Sequence, residues 1–213
     1  MSCCTPAGYR TIFGAKTAER EARRYRRKGL SGSARWIADA LAGAGVGGRS
    51  VLEIGGGVGG LQIELLEAGA DHATNVEIID TYESVAEALI SEHGLGGRVA
   101  RRVADFGVAG GETPPADLVI LHRVVCCYPD AGGLIDGACT HARDRVAITI
   151  PRESAWIRLG FGMMNAWFRI RRIAFRTYVL PLEPMLAVAG RRGFRVAQRQ
   201  RGALWQSLVL QRR

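Results

Sequence analysis

The spacing of apolar positions changes twice along the chain, and each change marks a different kind of element. Residues 15–30 are rich in helix formers and carry opposite charges three and four apart, Glu19 with Arg23 and Glu21 with Arg24, before Gly29. That pattern predicts a charged surface helix. A second helix is expected over 33–42, where Ile37 and Leu41 form a narrow apolar stripe, and the glycines from Gly43 to Gly48 end it. From residue 50 onward, short runs rich in β-branched residues alternate with helical stretches. The runs are 50–54, 72–78, 98–104, 116–122 and 146–150, with helices ending near Glu67, His93 and Arg143. Strands buried on both faces and taking turns with helices predict an α/β fold, a Rossmann-like doubly wound and mostly parallel sheet with helices on both faces.

After Ile150 the alternation stops. Residues 154–172 read as a helix with a wide aromatic and Met-rich face, interrupted by Gly160 and Gly162, and 183–189 as a shorter one. Two closely joined runs, 194–198 and 203–210, predict an antiparallel pair capping one edge of the sheet. With no internal repeat and no linker longer than 109–115, the 213 residues make one domain. Its parts are a helical cap (1–47), a sheet core (48–152), covering helices (153–192) and the terminal strand pair (193–213).

Hydrophobic residues at 47% and charged residues at 23% exclude a disordered or low-complexity chain. No apolar run approaches the roughly 18–20 residues that span a bilayer. The N-terminus lacks the apolar stretch of a secretory signal, so a cytoplasmic protein is expected. The net charge is +9, and Lys16 and Lys28 are the only lysines among 29 basic residues. Such a field attracts a phosphate-rich partner, an anionic membrane surface or an anionic substrate, although a bias towards Arg, Ala and Gly gives the same balance. The five cysteines, Cys3, Cys4, Cys126, Cys127 and Cys139, lack disulfide or zinc spacing and read as thiols. No metal site is expected.

The most informative stretch is 51–60, VLEIGGGVGG, which follows the first strand and opens a helix. Glycines there let the backbone turn sharply and approach a ligand, while free N–H groups at the helix start favour an acceptor. Gly55, Gly57 and Gly60 fit a dinucleotide pattern, whereas Glu53 with Gly55, Gly57 and Gly59 fits acid-x-G-x-G-x-G. A carboxylate at 53 adds nothing to a pyrophosphate site but attracts a sulfonium ligand or its amino group. Glu77, at the end of the second strand, is placed to accept both hydroxyls of a ribose, a device that NAD would share. Asp105 and Phe106, at the end of the third, suit an adenine amino group and ring face. Each also has a plain structural reading, Asp105 as a turn cap and Glu77 as a solvated strand end.

Together these residues resemble the class I methyltransferases that use S-adenosylmethionine. The resemblance covers about residues 48–152 and runs in order through the glycine loop with Glu53, Glu77, Asp105 and the strand 117–122. It implies a seven-stranded sheet with an antiparallel last strand, and S-adenosyl-L-methionine as cofactor with S-adenosyl-L-homocysteine as product. Gly55, Gly57 and Gly59 would then approach the methionine part, Glu77 the ribose and Asp105 the adenine. Val58 departs from the pattern, since a Thr or Ser is common there, and this removes a hydroxyl contact.

His122-Arg-Val-Val-Cys-Cys-Tyr-Pro-Asp130 follows the fourth strand, where open parallel sheets place their ligand crevice. His122, beside the cofactor, is a candidate general base, Arg123 a candidate partner for a substrate carboxylate or phosphate, and Tyr128 a border of the pocket. Direct displacement at a sulfonium draws much of its rate from alignment, so a dedicated base is not required. Cys126 and Cys127 read as small apolar packing. Substrate walls are expected from Tyr9, Phe13 and Tyr25 on one side and Trp156, Phe161, Met163, Met164, Trp167 and Phe168 on the other, although such a stripe is also ordinary core. Arg158, Arg169, Arg171 and Arg172 make the same segment a basic amphipathic helix able to rest on an anionic bilayer.

The expected activity is methylation of a hydrophobic small molecule, neutral or anionic, at oxygen ahead of nitrogen, sulfur or carbon. The pattern is similar to the magnesium-protoporphyrin O-methyltransferase group. Three alternatives stand beside it: an NAD(P)-dependent oxidoreductase, an RNA or other nucleic-acid methyltransferase suggested by the basic run 23–28, and a non-catalytic partner subunit. The nucleic-acid reading is weakened because no Asn-Pro-Pro-Tyr or Pro-Cys motif follows the fourth strand.

Overall fold

The computed structural model describes residues 6–213, apart from the side-chain surroundings at 109 and 110; Cys3 and Cys4 lie outside the described residues. The strands are β1 (Ser50–Ile54), β2 (His72–Glu77), β3 (Val99–Val103), β4 (Ala116–His122), β5 (Ala142–Pro151), β6 (Phe194–Arg201) and β7 (Trp205–Arg212). They form one sheet in the order β3-β2-β1-β4-β5-β7-β6, in which β7 alone runs antiparallel to its neighbours. The terminal pair therefore caps the sheet as expected, with β7 inserted beside β5 and β6 at the edge. Only Phe194 of β6 is buried, and Arg195, Arg199 and Arg201 keep that edge charged, which discourages pairing with another chain.

Helices α1 (Pro6–Ile12), α2 (Ala15–Lys28), α3 (Ser33–Gly43), α4 (Gly60–Glu67) and α5 (Glu83–Glu92) precede the short α6 (Phe106–Ala109). They are followed by α7 (Ala131–His141), α8 (Ala155–Ile170) and α9 (Leu182–Arg191). Helix α1 was not legible in the apolar spacing, and β5 begins four residues earlier than its apolar run because α7 ends directly against it.

The two-residue period of a strand separates two cores. On β4, Leu118 and Ile120 pack with Ile37, Leu41, Ile63 and Leu89 from α3, α4 and α5. Val119 and Leu121 pack with Leu134, Ile135 and Met185 from α7 and α9. Burying each such aliphatic side chain contributes roughly 1.5–3 kcal/mol. Strand order reverses between β1 and β4, so the carboxyl ends of these strands open a crevice, and the loops after β1, β2, β3 and β4 meet there.

Candidate active site

Between β1 and α4 the backbone passes through left-handed conformations at Gly55 (φ 66°), Gly57 (57°) and Gly59 (83°), which L side chains rarely adopt. The loop is held from two sides. Glu77 Oε2 accepts from the Gly57 N–H at 3.0 Å, and Glu77 Oε1 accepts from the Ile78 N–H at 3.1 Å. Arg101, from β3, donates through Nη2 to the Gly57 carbonyl at 3.0 Å. The same guanidinium grips Glu83 at 3.1 and 2.8 Å.

Beneath the loop lies a row of polar side chains across three strands, since Glu53 is the register partner of Asn75 and Asn75 of Arg101. The loop rests directly on this row: a β-carbon at Gly56 would stand 2.2 Å from Asn75 Nδ2 and 2.6 Å from Glu53 Cδ. Glu53 is 2% exposed, and burial pushes its carboxyl up to about 8 against the pull of Arg101. Glu77 is also raised by burial, with the Gly57 and Ile78 N–H groups opposing. Among the described residues, Glu53 Oε2, both amide atoms of Gln62 and of Asn75, and Arg101 Nη1 find no hydrogen-bond partner. These are six atoms of one buried layer, and a buried polar atom left in that state calls for water or a ligand group.

At the end of β3, Asp105 Oδ1 accepts from the Tyr128 hydroxyl at 2.8 Å and from the Gly107 N–H at 3.0 Å. Phe106 is buried beside it, edge-on to His141 with ring centroids 5.2 Å apart. His122 Nδ1 lies 3.1 Å from Thr149 Oγ1, which in turn contacts Ser207 Oγ at 2.9 Å. Burial, then the neighbouring Arg123 charge, depresses the imidazole to about 3. His122 is thus a neutral hydrogen-bonding group at ordinary pH and a weak base for proton abstraction. Arg123 adopts φ 62°, donates to Ser33 Oγ at 3.1 Å and lies over the Trp205 ring at 4.7 Å.

These groups surround a cavity of about 410 Å³. Glu53, Gly55, Gly57, Glu77, Asp105, Phe106, His122, Arg123 and Tyr128 all line it, as do Tyr9, Phe13 and Tyr25. Gly59 does not; its role is to turn the chain into α4. Nor do Trp156, Met163 and Trp167, which are exposed on α8 and do not supply the expected substrate wall. Ile157 and Phe168 mark the inner face of that helix, and at about 100° per residue the other three fall on a different side. Because α8 is apolar through most of its circumference, its spacing alone did not say which side turns inward.

Among the lining residues that the sequence did not single out for the site are Glu21, Arg24 and Tyr82. Glu21 was expected in a surface ion pair, yet it turns inward beside Tyr82, and a β-carbon at Gly57 would stand 3.6 Å from its Oε2. Burial raises its carboxyl above the usual range. The signal was present: Ala18, Ala22 and Tyr25 form the buried stripe of α2, and Glu21 borders it. Cys126 and Cys139 are buried, Cys127 is half-buried, and none of the three is in a disulfide. Among the described residues no three His, Cys, Asp or Glu side chains gather as for a metal ion.

No protein-family model matches the sequence, and no curated protein matches it significantly. Solved structures match closely in shape. Magnesium protoporphyrin IX methyltransferase from Synechocystis PCC 6803 with bound SAH superposes with a TM-score of 0.69 at 19% identity, over 96% of this chain and 99% of that one. The same enzyme with bound SAM gives 0.67 at 19% identity, over 97% and 90%. An O-methyltransferase family protein from Burkholderia thailandensis gives 0.70 at 18% identity, over 96% of this chain and 62% of that one. The chain has the class I methyltransferase fold. In this methyltransferase fold the cavity sits at the point of strand reversal, under α1 and α2, and no described helix is long and apolar enough to cross a membrane.

Proposed function

We propose that the protein transfers a methyl group from S-adenosylmethionine to a hydrophobic small molecule, with oxygen as the favoured acceptor atom. The observation that carries this reading is the pair of buried carboxylates, Glu53 and Glu77, on the two sides of the glycine loop. Glu77 is a device a dinucleotide would share, so Glu53 makes the contrast: a sulfonium or an ammonium gains from its carboxyl on ionising it, and a pyrophosphate gains nothing. That contrast argues against a nicotinamide dinucleotide. The glycine loop lines the cavity with backbone alone, since a β-carbon at 55 would strike Val124 and one at 56 would strike Asn75, and the orphaned Glu53 Oε2 with this bare backbone fits adenosine linked to methionine. When bound, S-adenosylmethionine supplies an electrophilic methyl and a neutral leaving thioether.

The chain's own residues then bind and align. Glu77 would take the ribose hydroxyls, and Asp105 with Phe106 the adenine edge and face, all three lining the cavity. Tyr9 and Phe13 offer an apolar wall to the acceptor, and Arg123 offers a cation fixed by Ser33 and Trp205. An acceptor carboxylate would suit this site, because it is already deprotonated at neutral pH and needs no base from His122. The Synechocystis structure similar in shape is a magnesium protoporphyrin IX methyltransferase, which supports a hydrophobic small-molecule acceptor here.

Calorimetry with S-adenosylmethionine, S-adenosylhomocysteine and NAD(P)H tests the cofactor. Binding of the first two and not the third is expected; nicotinamide binding alone would end the proposal. Incubating metabolite extracts with a deuterated methyl donor then identifies the acceptor by mass.

A further inference from the structure

The outward face of α8 is an exposed apolar row. Trp156, Leu159, Met163, Trp167 and Ile170 recur at intervals of three and four and are 61%, 67%, 67%, 52% and 78% exposed. They make up five of the eight large apolar side chains exposed among the described residues, so this is one patch and not a scatter. Chemistry at its borders is one-sided. From residue 154 to 182 the sequence holds five arginines and no acidic residue, and the flanking Glu153 pairs with Arg158 at 3.7 Å. At about 100° per residue, Arg158 and Arg169 fall on one side of the row and Arg171 on the other. Arg171 also lies over the Trp167 ring at 5.8 Å.

We propose that α8 docks the protein on an anionic lipid bilayer, lying in the interface plane with the apolar row in the acyl boundary and the arginines on headgroup phosphates. Each component has its physical warrant. The two tryptophans of the row, Trp156 and Trp167, prefer the headgroup level, and guanidinium pairs with phosphate through parallel hydrogen bonds. At 16 residues the helix is too short to cross, which leaves the surface orientation. A second copy is the poorer occupant, since a two-fold contact would set Arg169 and Arg171 against themselves, while Glu153, at 3.7 Å from Arg158, is already engaged at the helix start. The docked face is also packed onto the cavity wall. Trp167 meets Phe168 at 5.5 Å, Phe168 meets Phe175 at 5.6 Å, and Phe175 meets Tyr9 and Phe13 at 5.4 and 5.5 Å. Docking itself does not depend on the methyl-transfer reading.

The test is flotation of the full chain with vesicles of phosphatidylglycerol and phosphatidylcholine, against phosphatidylcholine alone, at low and high salt. Flotation is expected on the anionic vesicles only, weakening with salt, with a blue shift of tryptophan emission. The triple variant Trp156→Ser, Met163→Ser, Trp167→Ser should float at least about tenfold less while keeping its thermal midpoint. Replacing Arg169, Arg171 and Arg172 by Gln should weaken binding to the anionic vesicles and flatten its salt dependence. Three results would overturn the proposal: no flotation on anionic vesicles at low salt, flotation of the serine variant equal to wild type, or a wild-type dimer in sedimentation that the serine variant dissolves.

Discussion

The Tyr128 hydroxyl donates to Asp105 Oδ1 at 2.8 Å across a gap that closes only because residue 107 has no side chain. A β-carbon at Gly107 would stand 2.0 Å from that hydroxyl oxygen. The loop after β4 thereby fixes a carboxylate at the end of β3, leaving Oδ2 for a ligand.

Tyr128→Phe should weaken S-adenosylmethionine binding by about tenfold or somewhat more, the effect of one lost hydrogen bond to a charged group at the lower end of about 1.5–3 kcal/mol. Gly107→Ala should weaken it more, because Tyr128 must leave its place altogether. Calorimetric titration of both variants checks the order, and equal affinity for Gly107→Ala and wild type would show that the Tyr128 contact does not set Asp105.

The sheet was legible because its runs are both apolar and short: β1 and β4 lie where alternation placed them, and the loop glycines at 55, 57 and 59 all carry positive φ. Side-chain direction on helices was less legible. Glu21 and the outer row of α8 depend on which part of a helix meets the sheet, and this is settled by tertiary packing of Ala18, Ala22, Ile157 and Phe168, which spacing constrains only loosely. The Glu53–Asn75–Arg101 row was invisible for another reason: it joins residues from three strands, and strand register is not written in any one of them.

Proton linkage should follow from Glu53. Its folded value, about 8, lies above the ordinary 4.5, so between these two pH values the folded chain holds a proton that the unfolded chain has released. Stability from this group is full below about 4.5 and is lost as pH rises towards 8. A bound sulfonium favours the ionised form, so cofactor binding at pH 7 should release a proton and tighten as pH rises. Calorimetry in buffers of different ionisation enthalpy measures that proton. Glu53→Gln should abolish the release; an unchanged proton count in this variant would assign it elsewhere.

His122 has the opposite linkage. Its folded value near 3 lies below the ordinary 6.5, so the unfolded chain binds a proton first and acid destabilises the fold between about 6.5 and 3. For the reaction, kcat/KM should show no acid limb near 6.5 arising from this residue. His122→Gln should keep turnover within about tenfold of wild type, as expected where alignment and not proton transfer sets the rate. An acid limb near 6.5 that disappears in the variant would restore His122 as a base.

Arg101 offers a test of the layer beneath the loop that is independent of turnover. Its side chain is 6% exposed and holds both Glu83 and the Gly57 carbonyl. Arg101→Met leaves Glu83 and the loop carbonyl without that partner, and removing one member of a buried pair costs about 3–5 kcal/mol. Glu83 is 23% exposed, so solvent should hold the loss towards the lower figure. Adding Glu83→Met relieves the stranded charge and should recover part of the stability, but not the contact to Gly57. Urea unfolding of the two single variants and the double variant gives the coupling between the side chains. Cofactor affinity should stay low in the double variant even where stability returns, because the Gly57 tether is lost in both. Full recovery of affinity would mean that Arg101 serves the fold alone and that the glycine loop keeps its shape without it.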